Sequence, residues 1–155
     1  MALLEIALIL PLLLMLTMGM LSGGMILNHK LDLVGAAREG ARYGATIPEN
    51  QCAITANCGG MDWAQLVQSV VVARSNGSLS TAQVCVALVT GASGSPLGSS
   101  FTTKLGGTTS CYDDGNADPG LRVQVSVSRQ GESIDGVFFQ VPVTLTSSAT
   151  AKFEQ

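Results

Sequence analysis

The sharpest polar–apolar boundary along the chain comes early. From Ile6 to Leu27 no residue carries a charge, and the run gives way at Asn28, His29 and Lys30. As a helix, about twenty such residues reach roughly 30 Å, the thickness of a bilayer core. A cleavable signal peptide would show a basic start, a shorter apolar core and a small-residue cleavage site. Here no Lys or Arg precedes the run, and the run is too long. The segment reads as a retained membrane helix, or as the start of a mature chain whose basic leader has been removed. Pro11 lacks a backbone donor and predicts a kink. Gly19, Gly23 and Gly24 each lower helix propensity by about 1 kcal/mol relative to Ala. Gly19 and Gly23 have the G-x-x-x-G spacing that lets two helices approach closely in an apolar medium. The pattern predicts a helix that packs on copies of itself and is able to unwind locally near 22–24. The plain alternative is that membrane helices tolerate Gly and Pro.

The helical pattern continues through "HKLDLVGAAREGARYGAT", with no Pro before Pro48. Small residues form two ridges, Ala36–Gly40–Gly44 and Ala37–Ala41–Ala45, which predict close packing against a sheet or second helix. Arg38 and Arg42 lie one turn apart on one face. They read as a solvated face, or as contacts to the head or a neighbouring subunit. His29 and Lys30 stand where residues at a membrane surface are expected; the lone His29 is not read as a ligand or catalyst. "IPENQCAITANCGG" is a loop, with Pro, Asn and Gly as breakers. "MDWAQLVQSVVVARSNG" predicts a helix, capped by Asp62 and stopped by Gly77, with Trp63 as a core residue.

Strand periodicity takes over next. "AQVCVALV" places Val84, Val86 and Leu88 on one face. "LRVQVSVSR" alternates Val123, Val125 and Val127 with Arg122, Gln124, Ser126 and Ser128, the pattern of a half-buried strand. A third strand runs from about Val141 to Phe153, with Pro142 near its start or on an edge. Between the first two lies a long Gly/Ser-rich stretch that reads as a surface loop. The fold class expected is α+β: a long N-terminal helix packed on a small antiparallel sheet with one extra helix. Three parts follow: an apolar helix at 1–28, its amphipathic continuation at 29–46, and a globular head at 47–155.

Composition sharpens this outline. Charged residues make up 12% and hydrophobic ones 46%, and the net charge is −3. The eight Lys and Arg are scattered, which argues against a nucleic-acid-binding footprint. Cys52, Cys58, Cys85 and Cys111 suggest two disulfides and an extracytoplasmic setting. Free thiols or a metal site are the rivals, although no pair has zinc-knuckle spacing. Of three possible pairings, Cys52–Cys58 would close a small loop and Cys85–Cys111 would tie a strand to the long loop. Asp113, Asp114 and Asp118 could coordinate calcium, but the order is not that of an EF-hand and an acidic turn is the simpler reading. Asn76 begins an N-glycosylation pattern, of consequence only in a source that uses it. No nucleophile elbow, phosphate loop or H-E-x-x-H motif is present. No cofactor and no enzymatic activity are expected.

Glu5 stands at the head of the uncharged run. An ionised carboxylate in a bilayer costs several kcal/mol, so such residues usually have a partner and a function. Glu5 either lies at the membrane edge facing water, or meets an amine: the α-amino group at Met1, or one on a neighbouring subunit.

Together, "LLEIALILPLLLML" and "GAAREGARYGAT" closely resemble the TadE-like proteins of tight-adherence pili, a branch of the type IV pilin-like families. The matching positions are Glu5, Ala7, Pro11, Ala36, Ala37, Arg38, Glu39, Gly40, Ala41, Arg42 and Tyr43. The tail "VPVTLTSSATAKFE" also looks like that family's final strand. The resemblance implies processing by a prepilin peptidase just before Met1, residence in the inner membrane, and transfer by pilus assembly machinery to an extracellular filament. It also implies that Glu5 corresponds to the pilin glutamate of helix register, and that partners are copies of the chain and other pilins. A major or a minor subunit of the fimbrium would both fit, with a slight preference for the filament-building role. Alternatives are a single-pass, membrane-anchored surface-binding domain and a minor pseudopilin of a secretion system.

Overall fold

The computed structural model describes residues 2–47, 61, 63–90, 95–96, 120–135 and 140–153. Helix α1 runs from Ala2 to Thr46 and α2 from Trp63 to Arg74. Strands follow at Val84–Thr90 (β1), Ser95–Pro96 (β2), Arg122–Asp135 (β3) and Gln140–Lys152 (β4). They form one antiparallel sheet in the order β2-β1-β3-β4. The expected α+β class is what the chain adopts, with a long N-terminal helix, one further helix and three substantial strands. The two-residue β2 is an addition: it falls within the stretch read as a loop and pairs Pro96 with Val89.

The head end of α1 explains why this helix lies against the sheet. Leu33, Ala36, Ala37, Gly40, Ala41 and Gly44 are all buried. They recur at the three- and four-residue intervals that place side chains on one helical stripe. Above this stripe stand Val123, Val125 and Val127 of β3 and Val84, Val86 and Leu88 of β1; Trp63, Val67 and Val71 of α2 complete the core.

Two of the small residues are there because nothing larger fits. A methyl group on Gly40 would lie 2.2 Å from Val71 Cγ2. On Gly44 it would lie 2.9 Å from Val123 Cγ1 and 3.1 Å from Val67 Cγ2. Trp63 closes the same corner, its indole N–H donating to the Gly44 carbonyl at 3.2 Å. Close approach of backbone, which bulkier ridges would forbid, therefore sets how near α1 sits to α2 and β3.

α2 ends at Arg74, short of the expected stop. Ser75, itself buried, donates its hydroxyl to the Val72 carbonyl and accepts the Leu79 N–H. The chain then turns through Asn76 and Gly77, at φ 51° and 76°. Gly77 thus shapes the turn that follows the helix, a left-handed position that glycine adopts without steric cost.

The strand reading needs two corrections. β3 does not expose its polar face: Arg122, Gln124, Ser126 and Ser128 are buried, like the valines opposite. Cys85, Ala87 and Val89 of β1 form a separate buried cluster. Period-two alternation marks which side chains share a face and does not say whether that face is covered; buried polar groups usually find partners, although Gln124 Oε1 has none among the described residues. Arg122, by contrast, donates to the Gly120 carbonyl at 3.4 Å.

β3 also continues well past Arg129, as far as Asp135. Between Arg129↔Leu145 and Glu132↔Val143, Gln130 and Gly131 oppose the single residue Thr144. This β-bulge resets the alternation, with Gly131 at φ 90°. Pro142 lies near the start of β4, which is an edge strand, so its missing N–H costs little there.

Candidate assembly and membrane surface

α1 changes character along its length. From Glu5 to Leu21 every residue is exposed, and Ser22 and Ile26 are only partly covered before Leu27. The head therefore covers almost nothing of the uncharged run. By length and composition α1 is able to cross a membrane, and the most apolar window of the helix has none of its residues buried.

The polar groups inside this apolar stretch are satisfied by the helix itself. The Thr17 hydroxyl donates to the Leu13 carbonyl and the Ser22 hydroxyl to the Met18 carbonyl, both at 3.0 Å. Such back-bonding removes the penalty of leaving a hydroxyl unpaired in hydrocarbon. α1 is helical through Pro11 and through 22–24. Gly19, Gly23 and Gly24 have no heavy atom within 4 Å of where a Cβ would sit. They therefore form open notches, unlike Gly40 and Gly44, which the head has filled. Glu5 is exposed in the first turn of α1; the placement of Met1, its expected partner, lies outside the described residues.

At the lower edge of the head, polar side chains join helix to sheet. His29 Nδ1 lies 3.2 Å from Glu132 Oε2, and Arg129 Nε donates to Glu132 Oε1 at 2.8 Å. Lys30 donates to the Thr146 carbonyl of β4. His29 and Lys30 were expected at a membrane surface; they also tie α1 to β3 and β4. The partners are over a hundred residues away in sequence, so no local pattern announces them. Gln68 is a buried polar residue that also has no sequence signal: it sits inside α2 and donates to the Val84 carbonyl at 3.3 Å.

Arg38 and Arg42 are both exposed. Arg42 nevertheless borders a cleft with Ala45, Thr46, Ala151 and Lys152, beside the last turn of α1 and the end of β4. Glu39, between them, pairs with Arg74 of α2 at 3.5 Å. Both partners are well exposed, so the pair contributes little to stability. Asn76 is exposed in its turn. Cys85 is buried and is not a free thiol. Cys52, Cys58 and Cys111 lie outside the described residues, and with them the expected pairings. Asp113, Asp114 and Asp118 lie outside them too.

Sequence comparison bears on this same helix. Residues 1–42 match the family model for TadE-like protein. The resemblance seen in the sequence thus holds over the apolar run with Glu5, Ala7 and Pro11 and over the segment as far as Arg42, while Tyr43 and the tail likened to the family's final strand lie beyond the match. The TadE-like segment ends inside α1, so it covers the membrane-type helix and its junction with the head, and none of the sheet. No curated protein and no solved structure matches the chain.

Proposed function

We propose that the chain is a structural subunit of an extracellular, type IV-like pilus of the tight-adherence class. It waits in the inner membrane, is processed by a prepilin peptidase and is then drawn into a filament by the pilus assembly machinery. In the filament the apolar half of α1 lies in a bundle of equivalent helices, and the head faces outward as the adhesive surface. Its partners are copies of itself and other pilins. The role is mechanical and requires neither catalysis nor a cofactor.

One observation carries this reading: the TadE-like segment is a helix whose apolar half the head leaves bare. Leucines and methionines exposed over that length require lipid or protein around them. A helix bundle supplies the second environment as well as the membrane supplies the first. Gly19 and Gly23 provide notches for close helix contact, and Glu5 provides a charge that an amine of a neighbouring subunit can meet. An uncompensated carboxylate among apolar helices is costly, so pairing at Glu5 would also fix the axial register between subunits.

Glu5→Ala tests this. The variant should insert into the membrane at the wild-type level and fail to enter filaments. A variant that builds filaments normally would remove Glu5 from assembly. A protein that never leaves the membrane in either form would favour a single-pass surface-binding domain.

A further inference from the structure

We propose that the far end of the β3–β4 hairpin enters the headgroup–acyl boundary of the bilayer beside α1, so that the head meets lipid through strand as well as helix. The inference rests on reading residues 6–27 as a membrane helix, and concerns the stage before any assembly.

The direction of the hairpin comes from its contacts with α1. Gly44 faces Val123, Gly40 approaches Val125, and His29 meets Glu132. As α1 runs back toward its N-terminus, β3 runs forward. Pairing does not stop at Glu132. Ser133↔Pro142, Ile134↔Val141 and Asp135↔Gln140 carry the hairpin further down. Two strand residues advance about 6.6 Å, or about four residues of a helix rising 1.5 Å each. Ile134 and Val141 thus stand near the level of Met25 and Ile26. Ile26 is indeed packed against the edge of the head's core.

That level is inside the uncharged run, which ends at Leu27. Val141 is 46% exposed and Met25 60% exposed. A single exposed valine would signify little; its continuity with the bare surface of α1 is what points to lipid. One level higher stand His29, Lys30, Arg129 and Glu132, bonded to each other or to backbone. A belt of charged side chains above an apolar zone is how a protein marks the water boundary. Below that belt the chain presents Ile134 and Val141 beside Met25 and Ile26, with the polar pair Asp135–Gln140 one step further along the hairpin, which places this end at the headgroup–acyl boundary and not in the hydrocarbon core.

The test is quenching of added tryptophan by lipids brominated near the headgroup. The full chain is reconstituted in phosphatidylcholine–phosphatidylglycerol vesicles, as wild type and as Met25→Trp, Val141→Trp, Gln140→Trp and Ser148→Trp. Native Trp63, buried beside Gly44, supplies the background to subtract. Circular dichroism checks folding; if Val141→Trp fails to fold, Gln140→Trp, at an exposed position, carries the measurement. The inference predicts that tryptophan at 141 and 140 loses at least half as much emission as tryptophan at 25, while tryptophan at 148 loses none. Quenching at 25 with 141 and 140 behaving like 148 would overturn the inference and leave the membrane helix intact. Absence of quenching at 25 would overturn both.

Discussion

His29 of α1 and Glu132 of β3, 103 residues apart in the chain, meet at 3.2 Å where the apolar half of the helix ends. Glu132 accepts from Arg129 as well, and its side chain is only 14% exposed. A partly buried carboxylate between a guanidinium and an imidazole is held more firmly than a surface pair, since hydrogen bonds to charged groups are worth about 1.5–3 kcal/mol. Glu132→Gln keeps the shape and loses the charge. Thermal unfolding in detergent should show a loss of about 1–2 kcal/mol. His29→Ala, at a more exposed position, should cost less than 1 kcal/mol. Equal losses would mean that Arg129 contributes nothing to the contact.

Gly40→Ala should destabilise the head. The added methyl would meet Val71 Cγ2 at 2.2 Å, and Val71 is fully buried. Overpacking of this kind costs about 1–3 kcal/mol, against a helix-propensity gain of about 1 kcal/mol. The net expectation is a lower unfolding temperature. Gly40→Ala paired with Val71→Ala should recover part of the loss, which a scan of the double variant would check.

Gly23→Ala makes the same chemical change with the opposite sign. Nothing lies within 4 Å of the new methyl, so the isolated subunit should gain helix stability of about 1 kcal/mol. Filament formation should fall, because the notch for a neighbouring helix is filled. Filament yield measured beside subunit stability separates the two effects; unchanged yield would remove Gly23 from the helix contact.

The parts of this fold legible in the sequence are those set by local periodicity. The uncharged run, the ridges at 36–45, the helix around Trp63 and the valine alternation of β3 are each short-range patterns, and each became the corresponding element. Two things escaped. The extension of β3 to Asp135 hides behind "QGESID", where a bulge at Gly131 breaks the alternation that announces a strand. The tie from His29 and Lys30 to Glu132 and Thr146 depends on register between distant segments. At the candidate assembly surface, residue types pointed to Glu5 and the glycines. Which glycines remain open and which the head fills was decided by tertiary packing alone.

The central claim, that the bare half of α1 builds a filament, is most directly tested on filaments sheared from the cell surface, imaged by electron microscopy and identified by mass spectrometry. The account predicts that peptides of this chain, including its apolar helix, are present in the filament fraction as an integral component. Filaments composed wholly of other polypeptides, with this chain confined to the membrane fraction, would contradict it.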